Sequence, residues 1–124
     1  NEEGIKLIKE LKGNLHIIRG NHDTDVRVEL YKNCWNVVEV CDAKFLKFKK
    51  IMFYMTHFPS ICANFDEEKK LSRCIVNLCG HSHTKELLED WNRYKSPILH
   101  CELDANYMEL VDLEYICKFL KGFI

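Results

Sequence analysis

Apolar runs alternate with short polar segments along the chain, and this pattern predicts a mixed α/β domain. Three short apolar runs are typical of buried strands, and each of them ends at a polar segment that contains histidine: Leu15-His16-Ile17-Ile18, Ile51–Met55 and Ile75–Cys79. In layered α/β folds, ligand sites form where loops leave the ends of strands. The pattern therefore predicts that three histidine-bearing loops, distant in sequence, meet in space.

The remaining elements follow from periodicity and from end signals. Residues 2–12 form an amphipathic helix pattern with acidic residues first and lysines last, and Gly13 suits its C-terminal cap. The pattern further predicts helices over residues 24–32 (capped by Thr24 or Asp25), 66–73 and 112–121, two strands over 35–41 and 44–49 around a turn at Asp42-Ala43, and a strand over 98–103.

Length and composition indicate one compact globular domain. The chain has 124 residues, of which 47% are hydrophobic and 30% charged, and its net charge is −1. This balance argues against a protein that binds nucleic acid mainly by counterion release, so nucleic acid is expected as a partner only as a substrate. A local basic run is interpreted as one solvated strand face; it consists of Lys44, Lys47, Lys49 and Lys50.

The cysteine count and the apolar runs bear on the compartment. Seven cysteines, an odd number that lies mostly in apolar runs, indicate buried free thiols and not a disulfide framework. The polar first residues resemble no signal peptide, and the longest apolar stretch, Ile51–Met55, is too short to cross a membrane. We therefore expect a cytoplasmic protein without a membrane partner.

The polar segments after the strands carry candidate metal ligands. Asn21, His57, His81 and His83 form a plausible set, because imidazole nitrogen suits zinc, iron, manganese or nickel and an amide oxygen suits the harder of these ions. We expect Gly20 and Gly80 to relieve crowding where the loops turn tightly beneath a ligand.

Taken in order, these segments resemble the later motifs of the calcineurin-like metallophosphoesterases. The matching segments are Gly20-Asn21-His22-Asp23, then Thr56-His57, then Gly80-His81-Ser82-His83. The resemblance implies that residues 1–124 are the carboxy-terminal part of a single metallophosphoesterase domain. It implies an α/β fold, a four-layer αββα sandwich that lacks its first strands, and the hydrolysis of phosphomonoesters or phosphodiesters.

The resemblance also implies roles for single residues. Asn21, His57 and His81 would bind one of two divalent metal ions (Mn, Fe, Ni or Zn), and His83 would reach the other. His22 would face the scissile phosphate as a catalytic residue, with Asp23 holding its ring. Two metals would polarise the phosphoryl group and activate a bridging water.

The sequence departs from the family pattern in its first part. The family begins with an Asp-x-His motif and a Gly-Asp motif that supply the bridging carboxylate, whereas no aspartate precedes Gly20 here. We therefore expect an incomplete binuclear site with reduced metal occupancy in this chain, because anionic ligands offset the charge of two closely spaced cations.

Two alternatives remain open. In the first, the chain is an inactive remnant with a structural or interaction role. In the second, it is a small binding module whose structural zinc site is formed by Cys74, Cys79, His81 and His83. Other conspicuous residues are expected to be structural. His16 and His100 are expected in strands as core or partly buried residues with hydrogen-bonded rings, and Trp35 and Trp91 in packing. Asp104 and Asn106 could line the site, but a turn role is favoured.

Overall fold

A computed structural model describes residues 2–62, 75–89 and 97–122 of the chain. In chain order, the elements of these ranges are α1 (Glu2–Glu10), β1 (Leu15–Ile18), α2 (Asp25–Lys32), β2 (Val37–Cys41), β3 (Ala43–Phe48), β4 (Ile51–Thr56), β5 (Ile75–Cys79), β6 (Leu88–Glu89), β7 (Ile98–His100) and α3 (Leu113–Lys121). The expected mixed α/β class is confirmed.

The described strands form two sheets. β1 and β2 pair in parallel as a two-stranded sheet, and the others form a five-stranded sheet in the order β3-β4-β5-β7-β6. Its three central strands are parallel, whereas β3 and β6 run antiparallel at the two edges. The ends of β4 and β5 therefore lie side by side, and the loops that follow them emerge at the same edge.

The core lies between the central strands and α3. Phe53, Val76 and Leu99 on the strands and Leu120 on the helix are fully buried. Burial of each large apolar side chain stabilises the fold by about 1.5–3 kcal/mol. The side chain of Asp112 caps α3 by accepting a hydrogen bond from the Tyr115 amide at 2.7 Å, which fixes where the helix begins.

Most of the predicted elements are observed, with shifted ends. α1 ends at Glu10, so Gly13, with a φ of 102°, turns the chain toward β1 instead of capping the helix directly. Thr24 caps α2 as one of the two expected residues. The predicted strand over 98–103 ends at His100, and a short 3₁₀ turn, Leu103–Ala105, follows.

The two strands predicted around the turn at Asp42-Ala43 are observed as β2 and β3. They do not pair with each other, because β2 pairs with β1 whereas β3 pairs with β4, so the chain passes from one sheet to the other at this point. The expectation that Trp35 packs is wrong. Its side chain is 76% exposed, and its indole N–H donates to the Lys9 carbonyl at 3.1 Å.

Some predictions concern residues that the structure does not describe. These are the helix expected over 66–73, Cys74 and Trp91. Within residues 2–62, 75–89 and 97–122, no helix is long and apolar enough to cross a membrane. The basic run is partly paired within the chain: Lys44 bonds Glu39, and Lys49 bonds Glu114.

Candidate metal centre

Three of the four predicted ligands converge in the structure. The Nε2 atom of His57 lies 2.7 Å from Oδ1 of Asn21 and 3.0 Å from Nδ1 of His81, and the last two atoms are 3.2 Å apart. Each residue stands in a loop that directly follows a strand, β1, β4 or β5. We call Asn21, His57 and His81 the ligand triangle.

Hydrogen bonds alone cannot satisfy all three contacts of the ligand triangle. If the Asn21 oxygen accepts from both rings, the two imidazole nitrogens present N–H groups to each other. If the amide is turned so that its NH₂ group donates to both rings, the two nitrogens present lone pairs to each other. One unfavourable contact remains in either case, and a cation bound by all three lone pairs removes it.

The dimensions of the triangle suit a metal ion. Neighbouring ligand atoms of an octahedral ion with bonds of about 2.1 Å are about 3 Å apart, which falls within the observed range of 2.7 to 3.2 Å. No three side chains of the His, Cys, Asp and Glu types in the described ranges are arranged to hold a metal ion. The ligand triangle is of a different composition, two imidazoles and one amide.

Packing orients the two imidazole rings. The Phe58 ring lies 4.5 Å from the His81 ring and 5.0 Å from the His57 ring, measured between centroids. A Cβ atom on Gly20 would lie 3.0 Å from two atoms of the His57 ring, so a larger residue here would require the ring to shift slightly. The expectation for Gly80 is wrong, because a Cβ there would meet open space.

The surroundings of His57 favour its neutral form. Burial lowers the pKa of His57, and the charge of His81 lowers it further, while the carboxylates of Asp23 and Glu102 oppose the shift. A neutral imidazole has the free lone pair that a metal needs. The ring therefore keeps its metal-binding lone pair to a lower pH than an unperturbed histidine does.

The loop that carries His57 is held by buried polar contacts. The side chain of Asn77 is fully buried; its amide donates to the Tyr54 carbonyl at 2.9 Å and to the Thr56 hydroxyl at 2.8 Å, and its oxygen accepts from the Ser60 amide at 2.9 Å. The Gly80 amide donates to the His57 carbonyl at 3.1 Å, which links this loop to the loop that carries His81. Neither Phe58 nor Asn77 was predicted as a site residue, although an asparagine inside an apolar strand can indicate a buried polar contact.

His83 lies apart from the ligand triangle. Its side chain is 82% exposed, and its Nδ1 atom is 3.0 Å from a carboxylate oxygen of Asp104. His81 and His83 both have a left-handed backbone, with φ values of 71° and 51°. This conformation costs about 1–2 kcal/mol per non-glycine residue, and four other described residues also adopt it: Lys49, Lys50, Tyr107 and Met108.

The catalytic pair implied by the resemblance is arranged differently from the expectation. The Asp23 carboxylate accepts from the Gly20 amide at 2.7 Å and from the Tyr31 hydroxyl at 2.8 Å, and within the described residues it makes no hydrogen bond to the His22 ring. The His22 side chain is exposed, and its carbonyl accepts from Arg27 at 2.8 Å. Asp23 therefore shapes the loop itself.

The cysteine alternative is not assembled in the described residues. Cys79 is buried, its thiol lies 3.8 Å from the Leu99 carbonyl and 3.6 Å from Nδ1 of His100, and burial raises its pKa to about 12. His81 turns instead to Asn21 and His57. Such a thiol is a poor metal ligand at neutral pH, because the thiolate is the binding form.

The outcome for the expected structural residues is mixed. His100 is 1% exposed and hydrogen-bonded, as expected. His16 also has the expected hydrogen-bonded ring, 2.6 Å from Glu39, but its side chain is 40% exposed, so the expected burial is wrong. Asn106 holds its turn by donating to the carbonyls of His100 and Glu102. No protein family, curated protein or solved structure matches the chain.

Proposed function

We propose that the chain supplies one half of a binuclear metal site in a phosphoester hydrolase of the calcineurin-like type. The observation that carries the proposal is the ligand triangle, in which Asn21, His57 and His81 bring three donor atoms within 3.2 Å of one another. By the same proposal, the two sheets belong to the inner layers of an αββα sandwich.

Each residue has a chemical role in this proposal. The ligand triangle would hold one divalent ion, Mn, Fe, Ni or Zn, which when bound withdraws charge from a phosphoryl oxygen. His83 would bind the second ion through Nε2, because Asp104 occupies Nδ1, and a carboxylate on the far nitrogen is the usual support of a metal-bound histidine. His22 directly follows Asn21 in sequence, and its side chain is exposed. It would protonate the leaving group.

A cavity of about 400 Å³ adjoins the ligand triangle and gives room for the phosphoester. Its lining residues are Arg19, Gly20, Asn21, Asp42, Ala43, Tyr54, Thr56, His57, Phe58 and Ser60. The guanidinium of Arg19 is the cation of this lining, and it also fixes the ligand loop by donating to the Asp23 carbonyl at 2.9 Å. Positive charge favours phosphate binding, but here it is partly offset, because Arg19 pairs with the Asp25 carboxylate at 2.7 Å and Asp42 also lines the cavity.

Metal titration of the chain tests the proposal. We expect the wild type to bind one Mn²⁺ or Zn²⁺ measurably by calorimetry, and His81→Ala to weaken binding by at least about tenfold, since it removes one of three ligand atoms. His16→Ala is the matched control, because His16 bonds Glu39 on β2 and is no part of the ligand triangle. Equal losses in both variants would refute the assignment.

The catalytic part needs a separate experiment. In a preparation that hydrolyses a nitrophenyl phosphoester with Mn²⁺, His22→Ala should lower this hydrolysis by about 10²–10⁴-fold, with metal content unchanged. Loss of metal in this variant would instead make His22 a ligand.

A metal-binding chain without hydrolytic activity is the second candidate. It is favoured by the composition of the ligand triangle, which contains no carboxylate to bridge two ions. Tight binding of one ion together with no hydrolysis of the nitrophenyl phosphoester would select this candidate.

A further inference from the structure

A buried polar network lies directly behind the loop that carries His81 and His83. The His100 side chain is 1% exposed; its Nε2 atom is 2.8 Å from a carboxylate oxygen of Glu89, and its Nδ1 atom is 3.3 Å from Oε1 of Glu102. The Glu102 side chain is 9% exposed. A carboxylate rarely reaches this degree of burial without a role that retains it.

Glu102 reaches the metal-ligand loop itself. Its Oε1 atom accepts a hydrogen bond at 3.3 Å from the backbone N–H of Thr84, the residue that follows His83. The Cys101 amide, next to Glu102, donates to the Cys79 carbonyl at 2.8 Å, and the His100 amide donates to the Leu87 carbonyl at 2.8 Å. The loop between Cys79 and Leu87 is thus fastened at both ends to the β7 segment, and Glu102 fastens its middle.

The loop needs such a fastening because its backbone is strained. His81 and His83 both stand in the left-handed region, which residues with a Cβ atom avoid. A conformation of this kind persists only where the surroundings over-determine it. The remaining oxygen of Glu102, Oε2, is buried and has no hydrogen-bond partner among the described residues, so the residue is not optimised for stability alone.

We propose that Glu102 is a positioning residue, whose carboxylate holds the Thr84 amide and thereby sets the two histidines of the loop for metal binding. This inference rests on the proposed function, because that function assigns metal binding to the histidines of the loop. Within the described residues Glu102 makes no hydrogen bond to a ligand atom of the triangle and holds the loop through its backbone. Its charge also acts on the His57 ring, and the variant Glu102→Asp keeps that charge. The role is separate from that of Asp104, which contacts the His83 ring.

The chain offers a matched pair of variants. Glu102→Gln keeps the size of the side chain but replaces a charge-assisted hydrogen bond with a weaker neutral one. Glu89→Gln is the control, because Glu89 contacts the same His100 ring from the other side, is 54% exposed, and belongs to β6 instead of the loop. Glu102→Asp keeps the carboxylate charge but, because its side chain is shorter, places the charge farther from the Thr84 amide. It serves as the second variant should Glu102→Gln fail to fold.

Two readouts test the role. Hydrogen exchange of the Thr84 amide, followed by NMR without metal, should accelerate about tenfold or more in Glu102→Gln and stay within twofold of wild type in Glu89→Gln. Mn²⁺ affinity measured by calorimetry should fall about tenfold in Glu102→Gln and less than twofold in the control.

The outcomes separate this inference from the proposed function. Failure of the wild type to bind Mn²⁺ would overturn the proposed function, while the exchange of the Thr84 amide would still decide whether Glu102 holds the loop. If wild type binds Mn²⁺ and both glutamine variants match it in affinity and in amide exchange, the positioning role is wrong. Equal losses in both variants would also overturn it, because they would assign the effect to His100.

Discussion

The Nε2 atom of His57 and the Oδ1 atom of Asn21 lie 2.7 Å apart, although 36 positions separate the two residues in sequence. Their loops follow β4 and β1, which belong to different sheets. The contact therefore joins the two sheets at the edge where the third histidine loop emerges. Any substitution that displaces the His57 ring should disturb metal binding more than it disturbs the core.

Gly20 gives a direct test of this relationship. In Gly20→Ala the new Cβ would lie 3.0 Å from Cε1 and Nδ1 of His57, so the ring must move away from Asn21. We expect Mn²⁺ affinity, measured by calorimetry, to fall about tenfold, as it does when groups that orient a ligand are disturbed. Gly80→Ala is the control, since its Cβ would meet open space, and it should bind within twofold of wild type. Unchanged affinity in Gly20→Ala would show that the ring does not need its observed position.

The reactivity of the cysteines tests the burial pattern. Burial raises the pKa of Cys79 to about 12 and that of Cys101 to about 11. The thiolate is the reactive form, so at pH 8 these two thiols should react with iodoacetamide at least about a hundredfold more slowly than thiols of the unfolded chain, whose pKa is about 8.5. Mass spectrometry of timed samples measures each site. All seven cysteines should label in denaturant, and rapid labelling of Cys79 in the folded chain would contradict its buried position.

Much of the candidate site was predictable from the sequence because its signals are local. Apolar runs marked β1, β4 and β5, and the polar residues directly after them gave the members of the ligand triangle. Adjacent parallel strands end at a common edge, which brings His57 and His81 together, whereas Asn21 comes from β1 of the other sheet.

The supporting residues were not predictable, because their roles depend on contacts distant in sequence. Asn77 faces the loop after β4, and Glu102 faces the Thr84 amide. The pairing of the two strands around Asp42 was left open for a similar reason, since two strands joined by a short turn have the same local pattern whether or not they pair with each other. For Phe58 the sequence shows only that it follows His57, and this does not predict its contacts with the His57 and His81 rings.

The lowered pKa of His57 makes a prediction about acid stability. Burial, followed by the charge of His81, favours the neutral ring in the folded chain, so the folded pKa lies below the unfolded value of about 6.5. The unfolded chain then binds more protons as the pH falls through 6.5, and the free energy of unfolding must decrease in that window. Urea denaturation at pH 7.5 and pH 5.5 measures the decrease. His57→Gln should show a smaller decrease than wild type, and an equal one would assign the effect to other groups.

The left-handed backbone at His83 makes the final prediction, which separates strain from side-chain function. At a φ of 51°, alanine keeps the unfavourable contact of its Cβ atom, whereas glycine has none. His83→Gly should therefore be about 1 kcal/mol more stable than His83→Ala in urea denaturation, even though both variants lose the bond to Asp104 equally. The control is the same pair of substitutions at His22, which has no left-handed backbone and where glycine should be no more stable than alanine. If glycine and alanine are equal at His83, the loop relaxes in solution and carries no strain. If glycine is favoured, while both variants bind less Mn²⁺ than wild type, the histidine is retained at a cost in stability for the sake of its ring.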